Sequence, residues 1–181
     1  MEKIAKHTTA GALIKIAIVG PESTGKTFLA RELASHYQVQ WVPEFAREYL
    51  DKTDGKYQES DLLEIARGQV NLEDKIAAKN RGPLICDTNL LVIKIWSEHR
   101  YQQCHPWILA EWQRRKYHLH ILCNIDFPWE LDPLREHPHL RTYFFERYKA
   151  ALMAAKSPFL VLSGSKVERF NAAVAAINNL R

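Results

Sequence analysis

Near-continuous apolar runs alternate with segments of helical periodicity along the whole chain. The apolar runs lie near residues 13–19, 39–42, 83–87, 118–123 and 159–163, each the length of a short strand. Strands that are apolar on both faces and separated by helices belong to a parallel sheet covered on two sides. The pattern therefore predicts a three-layer α/β fold with about five parallel strands flanked by helices, a P-loop kinase-like architecture once its first loop is considered. Between the second and third runs, residues 59–80 place Leu62, Ile65, Ala66, Gln69, Leu72 and Ile76 on one helical face. Gln69 is the polar exception on that stripe, and it either bonds neighbouring backbone, the favoured reading, or reaches into a site. Residues 51–58, with Gly55 among them, read as a polar, mobile loop.

Composition narrows the class without naming a function. The chain has 181 residues, 46% hydrophobic and 25% charged, which suits one globular domain over 1–181 with a short N-terminal extension at 1–13. The N-terminal residues carry Lys3, Lys6 and His7 but no apolar core of a signal peptide, and no later run has the roughly 18 apolar residues of a membrane span. A cytoplasmic location without a membrane partner is expected. Net charge is +4, and the basic residues are dispersed except at Arg114-Arg115-Lys116, which reads as a solvated helix end rather than a nucleic-acid patch. Cys86, Cys104 and Cys123 are far apart and read as reduced thiols. The histidine pairs 118/120 and 137/139 would suit a metal only on a strand with further ligands nearby, and a metal site there is the lesser reading.

The first apolar run ends in Gly20-Pro21-Glu22-Ser23-Thr24-Gly25-Lys26-Thr27, the G-x-x-x-x-G-K-T of a phosphate-binding P-loop, followed by a helical segment from Phe28. Glycines at 20 and 25 let backbone N–H groups curl around a phosphate, and the helix adds its positive end. Lys26 supplies a point charge for the β and γ phosphates. Thr27 is the expected Mg²⁺ ligand, because a hard cation prefers oxygen. Gly20, Glu22, Ser23, Thr24, Gly25, Lys26, Thr27 and Phe28 are thus the expected ATP-binding residues.

In such sheets ligands collect at the carboxyl ends of the strands. After the second run, Glu44, Arg47 and Glu48 share a helical face behind Pro43. Glu44 could accept a hydroxyl proton or hold ribose hydroxyls, and surface salt bridging is the bland alternative. The third run ends in Asp87-Thr88-Asn89, delivering a carboxylate as a Walker B aspartate is delivered. Asp87 would hold Mg²⁺ through water or orient the acceptor hydroxyl, or else cap a helix. Residues 126–141, with three prolines and mixed charge, read as a lid from which Arg135 and Arg141 could swing over the γ-phosphate. Ser163, Gly164, Ser165 and Lys166 close the fifth run, where they could meet an adenine edge, unless Ser165 caps the final helix.

Taken in order, the P-loop, Glu44-x-x-Arg47-Glu48-Tyr49, the strand-end Asp87 and Trp129-x-x-Asp132-x-x-Arg135 resemble the ribosylnicotinamide kinase domain of NadR-type proteins, in the P-loop kinase and AAA-domain ATPase class. The likeness runs from Lys15 to about Asn178. It implies transfer of the ATP γ-phosphoryl group to the 5′-hydroxyl of nicotinamide riboside, giving nicotinamide mononucleotide, with Mg²⁺ as cofactor. It implies Lys26, Glu44, Asp87, Arg135 and Arg141 as catalytic residues, and Glu44, Arg47, Tyr49, Asp87, Asn89, Trp129 and Asp132 as contacts for that nucleoside or a related one. Relatives often add a helix-turn-helix and an adenylyltransferase domain. No H-x-G-H signature occurs in this sequence, so the mononucleotide is the expected end product, and a homo-oligomer is compatible with all of this. A cationic nicotinamide ring would suit an aromatic face, for which Trp41, Tyr49, Trp96 and Trp129 are available. Kinases for another nucleoside or small alcohol, and a non-catalytic ATP-binding regulatory module, are the alternative readings.

Overall fold

The computed structural model describes residues 13–180, so the expected N-terminal extension lies outside them apart from Leu13. The elements run β1 (Lys15–Val19), α1 (Lys26–Tyr37), β2 (Trp41–Val42), α2 (Phe45–Asp51), α3 (Glu59–Ala77), β3 (Leu84–Asp87), α4 (Leu90–Tyr101), α5 (Pro106–Arg114), β4 (Leu119–Cys123), α6 (Arg141–Ala154), β5 (Phe159–Leu162) and α7 (Lys166–Asn178). The strands form one parallel sheet in the order β2-β3-β1-β4-β5. The fold expected from the apolar runs is therefore the one observed.

Alternation along each strand divides the core in two. Ile16, Ile18, Ile85 and Ile121 pack against Leu29 and Leu33 of α1 and against Ala173 and Ile177 of α7. Ala17, Val19, Cys86 and Leu122 pack on the other face, against Leu62 and Ile65 of α3, Leu91 and Ile95 of α4, and Leu152 of α6. Burial on both faces is why these strands carry no polar alternation. β2 is shorter than its apolar run because the Val39 N–H donates to the Ala34 carbonyl, finishing α1 rather than entering the ladder.

The expected stripe on α3 faces inward, with Leu62, Ile65, Ala66 and Gln69 buried. Glu73, one turn beyond Gln69, is also buried, at 1% exposure. Its carboxylate accepts from Lys15 Nζ at 2.9 Å, Arg115 Nη1 at 3.1 Å and the Tyr117 hydroxyl at 2.6 Å. Arg115 also donates to Asp74 at 2.9 and 2.6 Å. The basic cluster at 114–116 is thus only partly a solvated helix end: Arg114 pairs with Glu111 at the surface, whereas Arg115 is buried in an ion network at the amino end of β1.

A buried network that loses one charge leaves the others desolvated and uncompensated, which costs more than the pair contributed. Glu73→Leu is therefore expected to lower the unfolding free energy by about 3–5 kcal/mol in a urea titration. A loss below about 1 kcal/mol would mean that Lys15, Arg115 and Tyr117 find other partners.

Candidate functional site

The P-loop leaves the carboxyl end of the central strand β1, and its two glycines are imposed by their neighbours. A Cβ on Gly20, at φ +139°, would lie 2.8 Å from the Cys123 carbonyl oxygen; one on Gly25, at φ +79°, would lie 2.9 Å from the Phe127 ring. A side chain at either position would push the loop off β4 or off the start of the 126–141 segment. Within the loop, the Thr24 hydroxyl donates to the Pro21 carbonyl at 2.8 Å, and Lys26 Nζ donates to the same oxygen at 2.7 Å. Gly25 is the N-cap of α1 and Lys26 its first residue, so the lysine and Thr27 stand at the positive end of that helix.

β3 lies beside β1 with Asp87 opposite Ile18, which brings the strand-end carboxylate to the loop. Thr27 Oγ1 donates to Asp87 Oδ2 at 2.6 Å, while Asp87 Oδ1 is buried without a hydrogen-bond partner. Burial raises the Asp87 carboxyl above its ordinary range, with the Thr27 hydrogen bond and the Lys26 charge opposing. A hydroxyl and an orphaned carboxylate oxygen, side by side at a phosphate loop, form the oxygen donor set that suits a hard divalent cation such as Mg²⁺.

Glu44 stands across from this pair as the N-cap of α2. Burial, followed by the charge of Asp87, pushes its carboxyl up to about 7, against the pull of Lys26 and Arg47. The alternative reading of Glu44, a surface pair with Arg47, is not the arrangement found. Glu44 precedes the helix, Arg47 donates to Asp132 at 3.0 Å, and Glu48 pairs with Lys52.

One cavity of about 560 Å³ joins the P-loop, with Thr27, to Glu44, whereas Asp87 and Arg141 are not on its wall. Gly20 to Phe28 form one end, with Lys166 at the rim, its Nζ 4.6 Å from the Phe28 ring centroid. The other end is bounded by Glu44, Arg47, Leu50, Val92, Ile95, Trp96, Phe144 and Tyr148. Trp96 Nε1–H donates to the Tyr57 hydroxyl at 2.7 Å, which restrains its ring. A phosphate cradle with an apolar, aromatic annex and a carboxylate at their junction is the shape that a two-substrate transfer requires.

The 126–141 segment covers the loop as a lid. The Glu22 carboxylate accepts from the Glu136 and His137 N–H groups at 3.3 and 3.2 Å. Arg135 Nη1 donates to Ser23 Oγ at 2.9 Å, and Arg141 Nη2 to the Ser23 and Phe127 carbonyls, both at 2.9 Å. Burial, with the Arg135 charge beside it, brings Arg141 below the usual guanidinium range, and its Nε is buried without a partner. Two guanidiniums converging on one serine repel each other, an arrangement that a polyanion between them would relieve.

Several expected contacts lie off the cavity wall. Asn89 is the N-cap of α4, accepting from the Leu91 N–H at 3.1 Å, and its amide meets buried His120 at 3.2 Å. The Tyr49 hydroxyl donates to Asp61 at 2.8 Å. Asp132 accepts from the Leu134 N–H and from Arg47, so it shapes the lid and ties it to α2. Trp129 and Trp41 are half-buried outside the cavity wall. Ser163 accepts from Asn124, the Gly164 N–H donates to Asp126, and Ser165 closes a capping box with Glu168, so these three organise the start of α7 and leave only Lys166 facing the cavity.

Arg169 was not anticipated. It is 2% exposed and donates to the Thr24, Asn124 and Gly164 carbonyls and to Asp126 Oδ2, at 2.8, 2.9, 3.1 and 2.7 Å. Its guanidinium also lies 4.4 Å from the centroid of the Phe127 ring. Arginine on a helix of otherwise ordinary periodicity carries no local mark of such a role. Tyr148 and Phe144 escaped notice for the same reason.

Among the described residues no helix is long and apolar enough to cross a membrane. Comparison with known proteins gives a consistent placement. Over 124 residues the chain is 27% identical to the trifunctional NAD biosynthesis/regulator protein NadR of Salmonella typhimurium, covering 66% of this chain but only 30% of that protein. A crystal structure of NadR protein in complex with NAD and AMP-PNP superimposes with a TM-score of 0.78 at 20% identity, over 93% of this chain and 49% of that one. A crystal structure of NadR protein in complex with NR gives 0.77 at 19% identity, over 93% and 51%. The family model described as AAA domain matches residues 15–169, most of the chain; with its P-loop at 20–27 at the end of a central parallel strand, the chain belongs to the AAA domain family.

Proposed function

We propose that the protein transfers the γ-phosphoryl group of ATP to the 5′-hydroxyl of nicotinamide riboside, giving nicotinamide mononucleotide. The observation that carries this reading is a continuous cavity in which a P-loop and an aromatic annex meet at Glu44. The likeness to NadR, and the NR and AMP-PNP named with its structures, support the choice of substrates.

Each residue then has a chemical task. The loop amides and Lys26 hold the β and γ phosphates, and Arg135 and Arg141 offset charge that spreads over the transferring group. Thr27 and Asp87 would hold Mg²⁺, which when bound neutralises phosphate charge. Glu44 accepts the proton of the acceptor hydroxyl, a task suited to a carboxyl whose value of about 7 lies near the working pH. Trp96, Phe144 and Tyr148 bound the annex for a flat base, and a cationic ring gains further from aromatic faces. Of the four aromatic side chains considered from the sequence, Trp96 is the one on the cavity wall.

Incubation of the protein with labelled ATP and a nucleoside panel should label nicotinamide riboside most efficiently; preferential labelling of another nucleoside would overturn the acceptor assignment. Lys26→Ala should lower kcat by about 10²–10³-fold without loss of the fold. Wild-type turnover in that variant would remove the P-loop from the reaction. For Glu44→Gln, kcat should fall by about 10²–10⁴-fold, the range for a lost general base. The same substitution should raise Tm at pH 8. The folded carboxyl holds its proton up to about 7 and the unfolded one only to 4.5, so ionisation costs stability as pH rises through that window. Glutamine removes that cost, and the gain should vanish by pH 4; a Tm that is lower than wild type at pH 8 would contradict the burial of this carboxyl.

A further inference from the structure

α2 is a short helix whose N-cap is a residue of the wrong kind. Asn, Asp, Ser and Thr cap helices because their short side chains reach back to the first N–H groups. Glu44 occupies that position at φ −70° and ψ 108° and makes no side-chain cap bond. The first N–H of the helix is satisfied by a different element altogether. Gln69 Oε1, from α3, accepts from the Phe45 N–H at 2.8 Å. Gln69 Nε2 donates to the Pro43 carbonyl at 3.3 Å.

These two partners are the peptide groups on either side of Glu44. The Pro43 carbonyl belongs to the peptide bond entering Glu44, and the Phe45 N–H to the one leaving it. A single amide, 2% exposed in the middle of an apolar stripe, therefore grips the backbone of Glu44 at both ends. Next to it, the Phe45 ring seats against Gly68, where a Cβ would have no room. The Gly68-Gln69 pair locks the start of α2 to α3 in position and in rotation about its axis.

We infer that Gln69 is a positioning residue of the acceptor site, capping α2 in place of Glu44 and so leaving the Glu44 carboxylate on the cavity wall. The inference rests on the proposed role of Glu44 toward the acceptor hydroxyl. It goes beyond a packing role for Gln69, because an amide that only satisfied α3 would not need both ends on one neighbouring residue's peptides. Methionine matches glutamine in length but can neither accept from Phe45 nor donate to Pro43. With both bonds gone, the backbone at 43–45 loses its restraint while the P-loop, on the far side of the cavity, keeps its own.

The test is a double-mutant cycle of Gln69→Met with Glu44→Gln, read as kcat and as KM for ATP with nicotinamide riboside as acceptor. Gln69→Met should lower kcat by about 100-fold, the scale of a misplacement near 1 Å, with KM for ATP within about twofold of wild type. The double variant should be no slower than Glu44→Gln alone within about twofold, because a residue that acts through Glu44 has nothing to act on once the carboxylate is gone. The inference is overturned if Gln69→Met lowers Tm but leaves kcat within threefold. It is equally overturned if the two losses multiply in the double variant, or if KM for ATP rises as steeply as kcat falls. Wild-type kcat in Glu44→Gln alone would place the fault in the general-base assignment and remove the inference with it. Should Gln69→Met fail to fold, Gln69→Asn, which keeps the amide but withdraws it by one methylene, takes its place in the same cycle.

Discussion

The phosphate end of the cavity depends on one buried cation. Arg169 reaches from α7 to the carbonyls of Thr24 in the P-loop, Asn124 after β4 and Gly164 after β5, with Asp126 as its counter-charge. A guanidinium has its donors in a rigid plane, so partners at its several corners are fixed relative to one another. Its burial would be prohibitive without that full set of acceptors. The loop that holds phosphate and the root of the segment that covers it are thereby built on the same group, and Phe127, whose ring excludes any side chain at Gly25, stacks on its face.

From that anchor the lid follows. Glu22 accepts two lid N–H groups, and Arg135 and Arg141 both end on Ser23. The positive charge of the lid is therefore stationed where phosphate charge would be greatest, and the carboxylate of Glu22 serves the lid backbone instead of opposing it. The acceptor end is built independently, by α2 and α4 with α6 behind them. Its links to the lid include the Arg47–Asp132 pair, the chain from Trp96 through Tyr57 to Glu136, and the contacts of Arg100 with Glu136 and of His99 with His137. The Arg47–Asp132 pair is half-exposed and worth little on its own, so it orients more than it stabilises.

Between the two ends lie two carboxylates with different environments. Asp87 is held by the Thr27 hydroxyl at the strand tip, whereas Glu44 is desolvated and feels the charge of Asp87. In the proposed reaction, these unlike settings would let two neighbouring acids serve as an oxygen ligand and a proton acceptor. The backbone that presents Glu44 is held on both sides by the Gln69 amide.

Much of this was legible in the sequence wherever the cause is local. Five parallel strands follow from apolar runs that tolerate no polar face, and the P-loop from eight consecutive residues between a strand and a helix. That Asp87 ends the third strand beside the loop could be read because it closes an apolar run. Asn89, Tyr49, Asp132 and Ser163 to Ser165 stood at the right strand ends or in the right motifs, yet other bonds claim them: Asn89, Asp132 and Ser165 accept from the nearest free N–H groups, Tyr49 donates to Asp61, Ser163 accepts from Asn124 and the Gly164 N–H donates to Asp126. Arg115 read as solvated for want of its buried partner Glu73, which is 42 residues away. What only the tertiary structure decided are the contacts made across such separations: Arg169 to Thr24 across 145 residues, Arg141 to Ser23 across 118, Gln69 to Phe45 across 24. Hydrogen bonds and charge act over a few ångströms in space and leave no periodicity along the chain, so the sequence determined the scaffold and its phosphate loop, and packing decided which side chains face the cavity.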